Sequence, residues 1–204
     1  MLLFQVITSL ENQNPSPKRA SFPAVDEALI PRIAQGDQDA FYEIYMATHK
    51  GLYGFALSVV KNTEDAEDVL QETYLRLRMA AHLYKPQGKP MAWLCTIVRN
   101  LSLMKIKEQN RTDSLEDTCF SDQVDLSGIS DIHDRMVLKT VLAKLPADER
   151  QIVMLHTVTG LKHREIAQVM QIPLATVLSK YSRALKKLKG YLEKEGFLNE
   201  VKPD

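Results

Sequence analysis

The sequence predicts an all-α protein of two small helical domains joined by an acidic linker, with a helix-turn-helix in the second domain. Along most of the chain, apolar residues recur at the i, i+3, i+4, i+7 spacing of amphipathic helices. Residues 112–134 lack that period and contain seven acids and no base. A connection of this length and composition is unusual inside one compact domain, so we expect it to join two.

Composition limits the class of protein. The 204 residues, 45% of them hydrophobic, suffice for one or two packed cores, which excludes disorder throughout. No apolar run approaches the ~20 residues that span a bilayer, and the first ten residues lack the basic start of a signal peptide. Cys95 and Cys119 form neither a disulfide framework nor a metal spacing. We therefore expect a cytoplasmic protein.

The first domain is expected to begin after a flexible lead-in, residues 1–25, which is rich in Asn, Pro and Ser. A short helix is predicted from Asp26 to Gln35 and ends at Gly36. Asp37 then caps a second helix that continues to Lys61. We expect the aromatic residues of this second helix to face the core, namely Phe41, Tyr45, Tyr53 and Phe55.

A third helix is predicted from Glu64 to Tyr84, with Asn62 or Thr63 as its N-cap. Its buried side collects small and apolar residues: Ala66, Val69, Leu70, Thr73, Leu77, Ala81 and Tyr84. The opposite side mixes charged, amide and apolar residues: Asp65, Asp68, Gln71, Glu72, Leu75, Arg76 and Met79. On local grounds, a solvated surface with a Glu72–Arg76 pair and a protein-docking face explain this side about equally well.

The loop Lys85–Pro90 is rich in proline and glycine, and Pro90 suits the first turn of the next helix. In that helix Trp93 and Cys95 are interpreted as core residues. Basic and amide side chains share an exposed side: Arg99, Asn100, Lys105, Lys107 and Arg111. Such groups suit DNA phosphates and base edges, although a solvated basic face is the simpler alternative.

Helices resume in the second domain, predicted over residues 135–195 and followed by a tail at 196–204. A helix ends at Leu145–Pro146, and the next begins near Asp148 and ends at Gly160. Helices Lys162–Met170 and Leu174–Lys189 are then separated by only three residues. This arrangement, with a basic second helix, indicates a helix-turn-helix for the DNA major groove.

The net charge of zero conceals a strong segregation of charge. Asp26–Glu72 has ten acids against three bases, whereas Thr73–Arg111 has eight bases against one acid. After the acidic linker, Arg135–Glu195 has twelve bases against five acids. Two basic blocks separated by an acidic one indicate two contacts with a polyanion.

In the order of these features, the sequence resembles the extracytoplasmic-function group of bacterial RNA polymerase sigma factors. The family's polymerase-binding helix is similar to EDAEDVLQETYLRL, and the helix that begins its −10 element reader is similar to AWLCTIVRNL. The domain that reads the −35 element is similar to LPADERQIVMLHTVTGLKHREIAQVMQIPLATVLSKYSRALKKLK. The resemblance covers Ala28–Arg111 and Val137–Glu193, and it implies a sigma region 2-like domain at 26–111 and a region 4-like domain at 135–195.

The resemblance also implies a bacterial cytoplasmic protein that directs core RNA polymerase to promoters and assists their opening. Contacts to a coiled coil of the β′ subunit would come from Asp65, Asp68, Gln71, Glu72 and Leu75. Contacts to −10 DNA, with an unstacked base trapped in a pocket, would involve Arg99, Asn100, Lys105 and Lys107. Contacts to −35 DNA would come from Arg164, Thr176, Ser179, Lys180 and Arg183.

Further partners implied by the resemblance are the β flap of the polymerase and an anti-sigma factor. It implies no catalytic residue, cofactor, metal or small-molecule substrate. The sequence departs from the family pattern at several positions: Met104, Gln171, Ala175, Leu178 and Lys180.

Two alternatives remain from the residues themselves. The second domain alone could serve a stand-alone helix-turn-helix regulator. An enzyme with a carboxylate metal site could instead use Glu64, Asp65, Glu67, Asp68, Glu72 and His82. Helical metal sites take inward carboxylates from several helices, usually with Glu-x-x-His spacing, and the chain has no such pair. The metal site is therefore disfavoured.

Overall fold

The computed structural model describes residues 25–112 and 142–194, and within these ranges it confirms the all-α prediction. Seven α-helices are present there: α1 Leu29–Ala34, α2 Gln38–Val60, α3 Thr63–Ala80, α4 Pro90–Thr112, α5 Ala147–Thr157, α6 His163–Met170 and α7 Leu174–Lys194. The predicted lead-in, most of the linker, the start of the second domain and the tail lie outside the described residues. The domain boundaries therefore stay predictions.

In the first group, α1–α4, side-chain caps mark the starts of α2 and α3. Gly36 has a φ of +87°, which separates α1 from α2. Oδ1 of Asp37 then accepts a hydrogen bond from the Ala40 N–H at 3.0 Å. Oδ1 of Asn62 accepts from the Asp65 N–H at 3.2 Å, so Asn62 is the N-cap of α3. Both caps agree with the sequence prediction.

The helix α3 ends earlier than predicted. It stops at Ala80, and a single 3₁₀ turn, Ala81–Leu83, leads into Tyr84 in an extended conformation. The Tyr84 hydroxyl donates a hydrogen bond to Glu27, near the start of α1. This long-range bond, rather than the stripe of α3, decides where Tyr84 lies.

The core of the first group surrounds α2, whose Ile44, Leu52 and Phe55 are fully buried. The prediction that Tyr45 faces the core is wrong, since its side chain is exposed. Tyr45 stacks on His49 and leans on Tyr74, each with a ring-centroid distance of 5.0 Å. Tyr74 occupies the interior instead.

In the second group, α5–α7, the turn of the helix-turn-helix is made by a residue that is not glycine. Gln171 has φ +57° and ψ +41°, the left-handed conformation at the end of α6. The preceding entry to α6 is fixed by Glu165, whose Oε2 accepts from the Lys162 N–H at 2.7 Å. These two ends fix the length of α6.

The two groups pack against each other, α5 on α2 and α6 on α4. Arg150 of α5 is buried, and its Nε donates to the Ser58 carbonyl oxygen at 3.1 Å. A Cβ added to Gly51 would lie 3.3 Å from the Val158 carbonyl oxygen, which shows how closely the helices approach. This contact explains why every residue of the segment 54–60 is buried, including the polar Ser58.

Candidate functional site

The exposed face of α3 combines acids with large apolar side chains. Asp68, Gln71, Leu75 and Met79 are exposed, and Glu72 is partly exposed. They follow the i, i+3, i+4, i+7 spacing and therefore form one stripe. Asp68 and Glu72 also line a groove of about 240 Å³ between α3 and α4. A mixed stripe beside a groove can bind a helix with basic and apolar residues.

Asp65 lies behind this face. The prediction that it is exposed is wrong, because only 8% of the residue is accessible. Its Oδ2 accepts from Gln109 Nε2 at 2.5 Å, and its Oδ1 lies 3.3 Å from Lys105 Nζ. The same ammonium lies 2.6 Å from Asp68 Oδ2. The hydrogen bond with Asp68 raises the pKa of Lys105 above its usual value, so this lysine stays charged and helps to hold α4 against α3.

The residues predicted to contact −10 DNA do not all share one face of α4. Asn100 and Lys107 are exposed on the same side, whereas Lys105 projects about 160° away from Lys107 at 3.6 residues per turn. Arg99 flanks the exposed side, and its Nε is buried without a hydrogen-bond partner among the described residues. The structure thus groups Asn100, Lys107 and the flanking Arg99, and it places Lys105 with the acids of α3.

A cleft lies at the start of α4, next to this exposed side. It has a volume of about 320 Å³, at the lower end of ligand-sized pockets. The rings of Tyr84 and Trp93 meet in its wall at 4.8 Å between centroids. Its other lining residues are Leu83, Lys85, Gln87, Lys89, Ala92, Thr96, Gln168 and Val169. An aromatic wall with flanking lysines suits an unstacked base and its phosphate.

Sequence reasoning missed most of this cleft, because Tyr84 was placed on the inner stripe of α3 and Trp93 in the core. Trp93 is only partly buried. The available signal was the loop Lys85–Pro90 itself, which places two lysines between the aromatic residues Tyr84 and Trp93.

Because the two groups pack against each other, α6 covers part of the cleft. Gln168 and Val169 line it, and Lys89 Nζ donates to Gln168 Oε1 at 3.4 Å. The cleft is thus formed jointly by α4, the loop before it and the first helix of the helix-turn-helix.

The helix α7 presents the predicted −35 residues on one face. Thr176, Ser179, Lys180 and Arg183 are exposed or partly exposed, as is Arg164 of α6. Two of these bases face acids of α5. Lys180 Nζ lies 2.8 Å from Asp148 Oδ2, and Arg183 Nε lies 3.9 Å from Glu149 Oε1. These pairs, which were not predicted from the sequence, position both side chains at the edge of the face.

The inner side of the helix-turn-helix contains an aromatic cluster. The rings of His156 and His163 stack at 4.5 Å, and Tyr181 packs edge-on against both. His156 Nδ1 donates to the Leu161 carbonyl oxygen at 2.9 Å. Burial, together with the neighbouring His156, lowers the pKa of His163 to about 4. The cluster therefore joins α5, α6 and α7 through a neutral His163 at physiological pH.

Comparison with known proteins agrees with this arrangement. Residues 44–112 match the family profile described as Sigma-70 region 2, and residues 135–188 match Sigma-70, region 4. The ECF RNA polymerase sigma factor SigK of Mycobacterium ulcerans (strain Agy99) is 29% identical over 174 residues, which are 81% of this chain and 92% of that protein. The chain belongs to the extracytoplasmic-function group of sigma-70 factors. A stand-alone helix-turn-helix regulator does not account for the region 2 match.

A second relative of this sigma factor also matches over most of its length. The ECF RNA polymerase sigma factor SigK of Mycobacterium sp. (strain KMS) is 25% identical over 184 residues, covering 86% of this chain and 95% of that protein. As a member of the family, this sigma factor acts with core RNA polymerase and promoter DNA in transcription initiation.

Two solved structures share the fold. CnrH in complex with the cytosolic domain of CnrY aligns with a TM-score of 0.61 and 22% identity, covering 83% of this chain and 98% of that one. RpoE in complex with the anti-sigma factor NepR, from Bartonella quintana, aligns with a TM-score of 0.62 and 23% identity, covering 75% and 96%.

Two further features concern the described ranges 25–112 and 142–194 alone. No helix there is long and apolar enough to cross a membrane. No three His, Cys, Asp or Glu side chains are grouped there so as to hold a metal ion.

Cys95 is fully buried, which raises the pKa of its thiol to about 12, so it is an unreactive core residue.

Proposed function

We propose that the exposed stripe of α3 is the surface through which this sigma factor binds the β′ coiled coil of core RNA polymerase. The proposal rests on one observation: Asp68, Glu72 and Leu75 form a mixed acidic and apolar face, while Lys107 lies about 160° around α4 from Lys105, the lysine that joins this face. Gln71 completes the stripe, and Asp65 supports it from behind through Lys105. A basic and apolar partner helix is complementary to such a face.

The −10 strand, in this proposal, binds along the exposed side of α4. Arg99, Asn100 and Lys107 supply positive charge and an amide on or beside that side. The neighbouring cleft accepts one unstacked base against Trp93, with Lys89 near its phosphate. Lys105, predicted with this group, serves the α3 face instead.

The −35 duplex binds α7 in the major groove. Thr176 and Ser179 reach base edges or phosphates, while Lys180 and Arg183 contribute charge from the rim. Arg164 of α6 contacts the backbone of the same duplex. The second group also docks on the β flap of the polymerase.

An anti-sigma factor controls this protein in the cytoplasm of a bacterium, and the sigma factor itself catalyses no reaction. Support for the regulator comes from the two structural neighbours: the structure of CnrH is that of a complex with the cytosolic domain of CnrY, and that of RpoE is a complex with the anti-sigma factor NepR.

A polymerase pull-down tests the docking face. Purified core polymerase is captured with the full chain carrying Asp68→Arg or Leu75→Arg, and both changes are expected to reduce capture at least tenfold by placing a cation where a basic partner binds. The matched control is Glu67→Arg. Glu67 is exposed and lies about 100° from Asp68 and about 80° from Leu75 around the same helix. Capture of the control should equal that of the wild type.

Unaffected capture by both variants of the α3 face would count against the proposed docking surface. Run-off transcription from genomic fragments with purified core polymerase then tests the function as a whole. Promoter-specific transcripts should depend on the protein, and they should disappear with Leu75→Arg but not with Glu67→Arg.

A further inference from the structure

One carboxylate oxygen organises the loop that shapes the cleft. Oε1 of Glu27 accepts three hydrogen bonds, from the Tyr84 hydroxyl at 2.5 Å, the Gln87 N–H at 2.8 Å and the Gly88 N–H at 2.8 Å. Glu27 is remote in sequence from all three donors. The contact therefore joins the start of α1 to the loop between α3 and α4.

On the α1 side, this contact lies next to the packed core. Glu27 stands two residues before α1, whose first residues Leu29 and Ile30 are buried in the core. Oδ1 of Asp26 accepts from the Ala28 N–H at 2.9 Å just before that helix, and no side chain caps the helix itself. Glu27 thus does not cap α1, and its carboxylate binds the loop instead.

On the other side of the contact, the loop is exposed to solvent. Lys85, Pro86, Gln87 and Gly88 are all exposed, and Gly88 has a φ of +66°, a conformation that favours glycine. An exposed segment of this composition is ordinarily mobile. The three hydrogen bonds hold it in one conformation, with the Tyr84 ring against Trp93.

Charge supports the same conclusion. Accepting these hydrogen bonds, the one from Tyr84 above all, holds the pKa of Glu27 below its usual value, so the carboxylate is ionised at neutral pH. The carboxylate binds donors of the loop and does not line the cleft. The charged side chains that line the cleft are those of Lys85 and Lys89. A phosphate next to a bound base would meet positive charge there.

We propose that Glu27 is a positioning residue for single-stranded −10 DNA: it fixes the loop Tyr84–Lys89 so that the cleft is formed before an unstacked base enters. This inference rests on the proposed function of the cleft. Preorganisation of this kind raises affinity because the loop loses little conformational entropy when the base binds. Glu27 itself does not touch the DNA.

The test uses holoenzyme assembled from core polymerase and the full chain with Glu27→Ala or Glu27→Gln. The probe is a short single-stranded oligonucleotide with the non-template −10 strand of a promoter recovered by run-off transcription, and a shuffled oligonucleotide is the reference. Glu27→Ala is expected to weaken binding of the −10 strand about tenfold, which corresponds to the net effect of losing charge-assisted hydrogen bonds. Glu27→Gln, which keeps one acceptor oxygen, should recover part of the affinity.

Four further readouts separate positioning from a general structural role. Polymerase capture and the thermal midpoint of the Glu27→Ala protein should match the wild type, while the rate of promoter opening falls. Trp93 is the single tryptophan of the chain, so its emission in the free protein should shift when Glu27→Ala releases Tyr84. Unchanged affinity of Glu27→Ala for the −10 strand would overturn the inference, and so would a loss of polymerase capture in parallel with DNA binding.

A separate pair of variants tests the proposed function on which the inference rests. Trp93→Ala and Lys89→Ala should each weaken binding of the −10 strand. If they bind it as the wild type does, the cleft is not a base site, whatever Glu27→Ala shows. If they weaken binding and Glu27→Ala does not, the base site stands and the positioning role of Glu27 fails.

Discussion

The ammonium of Lys105 lies 2.6 Å from Oδ2 of Asp68, and this contact joins the helix that carries the proposed −10 contacts to the helix that carries the proposed polymerase contacts. The same ammonium also faces the buried Asp65. A lysine held between two carboxylates is a poor partner for DNA phosphate, because it would have to leave both of them. Two lysines only two residues apart on α4 therefore have different roles.

The first prediction compares Lys105→Met with Lys107→Met in holoenzyme bound to promoter DNA. Removing one phosphate contact lowers the slope of log K against log salt by about 1. We expect this decrease for Lys107→Met and no change of slope for Lys105→Met. Lys105→Met should instead lower the free energy of unfolding by about 1 kcal/mol, since the Asp65 carboxylate then keeps, among the residues that the structure describes, Gln109 alone as a side-chain partner. Equal decreases of slope for both variants would contradict this assignment.

The second prediction concerns the stability of the helix-turn-helix in acid. Because the pKa of folded His163 is lowered to about 4, the unfolded chain binds this proton more readily, and stability falls as the pH drops through the ordinary histidine pKa. Between pH 7 and pH 5 the loss should be about 1 kcal/mol for this group, allowing for its partial exposure. His163→Phe should remove that share of the pH dependence in urea unfolding.

The control for this second prediction is His82→Gln, at an exposed position in the 3₁₀ turn. It should keep the full pH dependence of the wild type. A His163→Phe protein whose unfolding free energy falls between pH 7 and pH 5 as steeply as that of the wild type would show that His163 is not the responsible group.

The third prediction uses two glycines in different conformations. A Cβ added at Gly190, inside α7, would meet nothing within 4 Å. Gly190→Ala should therefore raise the free energy of unfolding by about 0.5 kcal/mol through the lower backbone entropy of the unfolded chain. Gly36 also has open space but a φ of +87°. Gly36→Ala should lower the free energy of unfolding by about 1 kcal/mol. Urea unfolding of both variants checks the opposite signs.

Features set by neighbouring residues could be predicted from the sequence. The caps Asp37 and Asn62 lie one residue before their helices and use their own side chains, so a local pattern identifies them. The three-residue turn after Met170 was equally visible, because Pro173 and the basic helix beyond it are adjacent in sequence. Such features need no knowledge of how helices pack.

Features set by contacts between distant segments could not be predicted. The periodicity of α3 placed Asp65 outside, but Lys105 and Gln109 reach across from α4 and bury it. In the same way, Tyr45 has the spacing of a core residue, and Tyr74 of the next helix takes the interior position. The cleft depends on a bond between Glu27 and a loop far along the chain, which no periodic pattern records.

The fourth prediction concerns the contact between the two helical groups. The −10 and −35 elements are separated by about 25 base pairs, or roughly 85 Å at 3.4 Å per base pair. Helices in direct contact have axes only about 10 Å apart, so we expect α5 to leave α2 when one chain reaches both elements. Arg150 holds this contact through the Ser58 carbonyl oxygen, and burial lowers the pKa of its guanidinium. Arg150→Ala should therefore favour the separated state.

Small-angle scattering of the free protein measures this shift. Arg150→Ala should increase the radius of gyration while the helical content by circular dichroism stays at the wild-type level. Lys186→Ala, an exposed change on α7, is the matched control and should leave the radius unchanged. An unchanged radius in Arg150→Ala would show that the apolar contacts around Gly51 and Val158 suffice to hold the groups together. An increase would identify a buried arginine as the group that binds α5 to α2 until polymerase and DNA separate them.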